Sequence, residues 1–248
     1  MKTRYIGLFA ALTILLLVVV AQKYRWDKKE TVIDAQSEIL ALYHNFSTAD
    51  SITISGTITL FDEKVADKMQ EKMDFFYMRS ATGFISELGN LKTISDGKIV
   101  VQIDTVSKEI LVFEDGSGQL LTDKKNIFPF EKLLTDTSEF KTRLEGKSDG
   151  ELHTLTMASE REPDIKQVEV SYSPSDYKLS AASISWWKTQ NPEDRKDEKN
   201  CWVTKINYRY GSTRVLNPQA EIATIVTIRD NEITRTDAYQ NYQINIGN

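Results

Sequence analysis

The chain has 248 residues, 40% of them hydrophobic and 27% charged, and a net charge of −5. That is ordinary globular composition, and the acidic balance speaks against nucleic-acid binding, which needs a basic face to neutralise phosphates. With 11 glycines and 5 prolines there is little material for long linkers, and a single cysteine, Cys201, excludes an internal disulfide.

Lys2 and Arg4 precede an uncharged stretch from Tyr5 to Gln22. Val19 and Ala21 fit a small-residue cleavage site before Gln22, so residues 1–21 read as a secretory signal peptide. The same stretch is nearly long enough to span a bilayer, so an uncleaved anchor over residues 5–22 stays open beside it. No cysteine follows the apolar run at a lipobox position. Either way residues beyond about 30 are expected outside the cytoplasmic membrane, with 22–30 a linker and 31–248 the folded domain. Cleavage would leave a body of charge −7, because Lys2 and Arg4 are the charges lost.

Residues 31–46 carry a helical stripe of Val32, Ala35, Ile39, Leu42, Tyr43 and Phe46. Spacings of three and four put these on one face, with Asp34, Gln36, Ser37 and Glu38 opposite. The spacing predicts an amphipathic helix that needs an apolar surface. From residue 51 the period becomes two: "SITISGTITLF", "KMDFFYMRS" and "GFISEL" read as strands. In "LKTISDGKIVVQID" the pair Asp96-Gly97 predicts a two-residue type I′ hairpin turn, and Ile99, Val101 and Ile103 share a face. "EILVFED" follows after a turn at "DTVSK".

Residues 118–146 interrupt the alternation, and Pro129 with the stripe Phe130, Leu133, Leu134 predicts one or two short helices, an insertion over 127–144. Strands resume in "ELHTLTMAS", "IKQVEVSYS", "LSAASISWWKT", "CWVTKINYRYG", "IATIVTIRD" and "YQNYQIN". Trp202, Thr204, Ile206, Tyr208 and Tyr210 fall on one face. The charged "NPEDRKDEKN" reads as a solvated hairpin tip. The sum is mainly β: about 10–11 strands joined by short turns, an antiparallel sheet too large to stay flat, curled into a half-barrel with the helices covering its concave face.

No catalytic signature appears. His44 and His153 form no ligand-like pair, and there is no GxSxG, P-loop or GxGxxG. The scattered carboxylates leave a glycosidase pair open on spacing alone. Cys201 reads as a small buried hydrophobe on a strand. The expectation is a binding protein without cofactor or metal, not an enzyme.

The order of elements resembles the LolA/LolB-like superfamily of periplasmic lipoprotein carriers. The likeness is concentrated in "MDFFYMRSATGFISELGNLKTISDGKIVVQID", with Ser95, Asp96, Gly97 and Lys98 at the family's "SDGK" hairpin. Arg79 falls where the family arginine would lie, although Ser80 replaces the following proline. The resemblance implies an N-terminal helix before a curved half-barrel whose apolar interior holds acyl chains. Alternation in "MDFFYMRS" puts Phe75, Tyr77 and Arg79 on one face and Phe76 and Met78 on the other, without saying which meets the cavity. The position of the family arginine implies Phe75, Tyr77 and Arg79, grouped with Ile99 and Val101, and Ile39, Leu42, Tyr43 and Phe46 on a lid helix. The resemblance further implies that Arg79 acts at the lid. The implied function is an exported carrier or chaperone for lipid or acylated protein, meeting inner- or outer-membrane proteins. The alternative is a membrane-anchored periplasmic sensor or protein-interaction module of the same fold.

Overall fold

The computed structural model describes residues 31–65, 68–114, 144–158, 164–189, 195, 197–211, 217–229 and 232–247. The expected signal or anchor segment and the Phe130–Leu134 stripe lie outside them. No helix among the described residues is long and apolar enough to cross a membrane.

The chain starts with a two-residue strand β1 (Thr31–Val32) and helix α1 (Ala35–Thr48). Strands β2 (Ile52–Asp62), β3 (Met69–Ser80), β4 (Gly83–Leu88), β5 (Leu91–Ser95), β6 (Ile99–Asp104) and β7 (Glu109–Glu114) follow. After the undescribed stretch come β8 (Leu144–Ser148), β9 (His153–Met157), β10 (Ile165–Tyr172), β11 (Leu179–Trp187) and β12 (Cys201–Tyr210). The C-terminal part holds α2 (Pro218–Ile225), β13 (Val226–Arg229), β14 (Glu232–Arg235) and β15 (Gln243–Gly247).

Among the described residues, thirteen strands form one sheet in the order β1-β8-β9-β10-β11-β12-β2-β3-β4-β5-β6-β7-β15, and β13-β14 make a separate hairpin. The sheet is large, curved and open, as the sequence pattern requires. It is antiparallel except at one edge, where β15 runs parallel to β7 with Ile244 beside Ile110.

Cross-strand partners share a face, and successive residues alternate. Tyr77 pairs with Ile54, whereas its neighbour Met78 pairs with Ile85. The sheet therefore has two apolar layers on opposite sides. On the first, Ile54, Leu155, Val168, Val170, Ile184 and Ile206 pack under α1. On the second, Phe76, Met78, Ile85, Ile94, Val101 and Ile103 pack under α2.

α2 corrects the strand expected across "IATIVTIRD". The Asn217 Oδ1 accepts from the backbone N–H groups of Gln219 and Ala220 at 3.0 and 3.2 Å, and Pro218 occupies the first helical turn. That is a helix start signal lying just upstream of the β-branched run. Ile222 and Ile225, three residues apart, are then buried on the second layer, and only Val226–Arg229 is strand.

The Asp96-Gly97 turn also differs from expectation. Gly97 has φ +80°, but Asp96 does not enter the left-handed region, so the turn is not type I′. Instead the Asp96 carboxylate accepts from the N–H groups of Lys98 and Ile99 at 2.9 and 3.0 Å, and the Ser95 Oγ from that of Gly97 at 3.1 Å. The same arrangement recurs at 148–152. Asp149 accepts from Glu151 and Leu152 at 2.8 Å, and the Ser148 Oγ accepts from Gly150 at 3.1 Å. "SDG" thus marks a local turn chemistry in which a serine and an aspartate replace missing ladder partners.

Candidate functional site

α1 is the element that defines a site. Asp34 caps it, its carboxylate accepting from Gln36 and Ser37 N–H groups at 3.2 and 3.4 Å. This cap moves the helix start to Ala35 and leaves Val32 out of the expected stripe. Val32 sits on β1, 90% exposed. Ala35, Ile39 and Leu42 are buried against the sheet, and Phe46 packs half-buried on the same cluster. Tyr43 is half-buried.

Polar contacts fix the course of α1 across the strands. Near its start, the Glu38 carboxylate accepts from the Tyr172 hydroxyl of β10 at 2.5 Å and pairs with the His153 Nδ1 of β9 at 3.2 Å. Burial, and after it Glu38, push the Tyr172 hydroxyl well above its ordinary pKa. Further along, the Asn45 amide donates to the Asp176 carbonyl in the β10–β11 turn at 3.2 Å. At the far end, Arg79 of β3 donates to the carbonyls of Phe46 and Ala49 at 2.9 and 3.0 Å, and its guanidinium stands 5.5 Å from the Phe46 ring centre. A cation at a helix C-terminus satisfies carbonyls that the helix leaves open.

The face that α1 covers continues beyond it. Ile58 pairs with Met73 and Ile206, Leu60 with Thr204, and Trp186 with Trp202, all on the α1 side. Ile58, Leu60, Met73, Trp186 and Trp202 are half-buried. At this end Lys188 pairs with Asp62 and lies 4.4 Å from the Trp202 ring centre. Under α1 itself the packing is tight, since Ile39, Ile54 and Leu155 are fully buried. Two cavities lined by described residues, about 560 and 550 Å³, flank the two ends of α1.

The residues expected around one cavity divide between the two faces. Phe75, Tyr77 and Arg79 are on the α1 side. Phe75 packs edge-to-face on Tyr208 at 5.8 Å, and Tyr77 lies 6.5 Å from Phe84. Ile99 and Val101 are on the opposite side, in the layer under α2. The one-residue phase between neighbouring strands decides this, and alternation within a strand does not reveal it. Sequence reading missed Glu38, Tyr172 and His153 as a group. Glu38 fell on the polar side of the helical stripe, and strand alternation does not disclose a partner 115 residues away.

Cys201 is fully buried, its thiol donating to the Glu198 carbonyl at 3.5 Å, and burial pushes its pKa up. It is expected to resist a disulfide-exchange reagent in the folded protein at neutral pH and to react completely in denaturant. Stoichiometric labelling without denaturant would show an open site instead. No group of three or more metal-ligating side chains occurs among the described residues.

No family model matches the chain, and no curated protein does. The open curved sheet with a helix laid across one face is a mainly β half-barrel. Solved structures similar to it include an uncharacterized conserved protein from Thermus thermophilus, at 12% identity over 85% of this chain and 98% of that one, TM-score 0.42. A LolA superfamily protein from Nitrosomonas europaea is similar at 11% identity over 73% and 96%, TM-score 0.31. A putative outer membrane lipoprotein-sorting protein domain from Vibrio parahaemolyticus is similar at 9% identity over 77% and 99%, TM-score 0.33.

Proposed function

We propose that this chain is an exported carrier in the cell envelope that holds the acyl chains of a lipid or acylated protein on the α1 face of its sheet. The observation that supports this reading is an amphipathic helix held over an apolar sheet face by polar contacts at both ends. Hydrogen bonds that hold a helix from its ends can be exchanged for water when the helix moves. The uncovered face would accept hydrocarbon at roughly 0.8 kcal/mol per buried methylene, without any charged contact. No reaction is part of this reading. α1 is the lid and Arg79 its C-terminal anchor.

The closed packing under α1 favours a second reading, an interaction module of the same fold without bound lipid. Native mass spectrometry of protein purified from membranes separates the two, with bound lipid expected. Arg79→Leu keeps the apolar bulk and removes two charge-assisted hydrogen bonds, each typically about 1.5–3 kcal/mol. It is expected to speed uptake of a fluorescent fatty acid at least several-fold while leaving the circular dichroism of the sheet unchanged. Wild-type protein that takes up no such probe and carries no lipid would leave the interaction module as the better reading.

A further inference from the structure

The Glu38 cluster differs in kind from the other contacts of α1. Arg79 and Asn45 bind backbone carbonyls, but Glu38 ties two side chains from two strands to the first turns of the helix. Tyr172 is fully buried and held on both sides. The His153 ring meets it edge-on at 5.6 Å, and the Tyr177 ring stacks on it at 5.9 Å and 15°. Tyr177 achieves this with φ +52°, a left-handed conformation that a bulky side chain adopts at a cost and that glycine would take freely. Its N–H donates to the Ser173 carbonyl at 2.8 Å, closing the β10–β11 turn. A strained position is thus occupied by the residue that steadies the Tyr172 ring, and with it the hydroxyl aimed at Glu38.

The two ends of α1 are tethered unequally. Thr48 is joined to Ile52 of β2 by three residues, so the C-terminal end stays close to the sheet. The N-terminal end is joined to β1, which has two residue pairs with β8 and a backbone bond from the Ile33 N–H to the Gly146 carbonyl at 3.1 Å. Such a short edge strand is the kind of element that opens locally at low cost.

We infer that Glu38, clamped by Tyr172 and His153, is the latch that keeps the N-terminal half of α1 shut, and that α1 opens by swinging about its short tether to β2. This rests on the reading of α1 as a lid. Opening at that end uncovers β9, β10 and β11, whose Leu155, Val168, Val170 and Ile184 form the apolar floor beneath the helix. Tyr172 is a positioning residue in this device, because it acts on the lid through Glu38.

The test is hydrogen exchange of the full chain, read separately for α1 and for the central strands β2 and β12, with uptake of dansyl-labelled undecanoic acid measured alongside. Tyr172→Phe keeps the ring stack and removes only the hydroxyl. Glu38→Asp keeps the charge and shortens the reach. Both are expected to raise exchange of the α1 amides about ten-fold or more, as loss of a charge-assisted bond implies, with β2 and β12 unchanged. Uptake of the probe is expected to accelerate with them. Glu38→Asp/Tyr172→Phe should exceed the larger single effect little, because both changes break the same Glu38–Tyr172 bond. Unchanged α1 exchange in Tyr172→Phe overturns the latch. So does a rise shared equally by β2 and β12, which makes the contact part of the global fold. Faster α1 exchange with no probe bound by any form upholds the latch and removes the carrier reading.

Discussion

Leu42→Asp is expected to lower the unfolding free energy by about 4 kcal/mol, since it removes a buried apolar side chain and leaves an unpaired charge in its place. Leu42 is 2% exposed, in the cluster formed with Ile54, Leu155 and Ile206. For a domain of this size the shift in melting temperature is roughly 8–16 °C. Leu40→Asp supplies the comparison, because Leu40 lies on the same helix at 57% exposure. It is expected within about 0.5 kcal/mol of wild type. Equal effects of the two substitutions in urea melts would mean that α1 does not lie on the sheet with this face. A silent Leu42→Asp would mean the stripe serves a membrane or partner surface.

The stripe that puts Leu42 inside was legible because helical and strand periods differ and each was sustained. Ile39 and Leu42 repeat at three residues, and β2, β6, β9, β10 and β12 alternate at two. Those segments fall where the pattern put them. The failures have physical causes. In α2 the capping pair Asn217-Pro218 outweighs the β-branched run behind it, and a single turn of cap chemistry decides the element. At Asp96 the side chain, not a left-handed backbone, closes the turn, so one dipeptide has two conformational solutions. The second copy of that turn at Ser148-Asp149-Gly150 shows that the motif reports how a hairpin closes.

The site was less legible than the fold. The resemblance implies that Arg79 lies near the N-terminal helix, and its hydrogen bonds to the Phe46 and Ala49 carbonyls stand at the C-terminal end of α1. Ile99 and Val101 lie on the other side of the sheet from Phe75, because alternation fixes a face within a strand and says nothing about phase between strands. Glu38, Tyr172 and His153 meet only through pairing of strands far apart in sequence. Their residue types are ordinary where they stand, and a one-residue slip of β10 would separate them.

Gly56 is where the packing leaves least room. It sits mid-way along β2, paired with Tyr208 on one side and Phe75 on the other. A Cβ there would stand 1.9 Å from the Asn207 carbonyl oxygen and 2.7 Å from the Phe75 ring. The ring could rotate away, but the carbonyl belongs to the backbone of β12. Gly56→Ala therefore has to displace two paired strands at the centre of the sheet, and a loss of about 3 kcal/mol is expected in urea unfolding with an unchanged slope. Gly89 gives the contrast. It has φ +56° with no atom within 4 Å of the added carbon, so Gly89→Ala costs only conformational strain, roughly 1–2 kcal/mol. The added change Phe75→Leu separates ring from carbonyl. If the carbonyl is the obstacle, Gly56→Ala/Phe75→Leu stays as unstable as Gly56→Ala or falls further. Recovery of most of the lost stability would mean that the Phe75 ring alone fills the notch, and that the strands themselves tolerate the extra carbon.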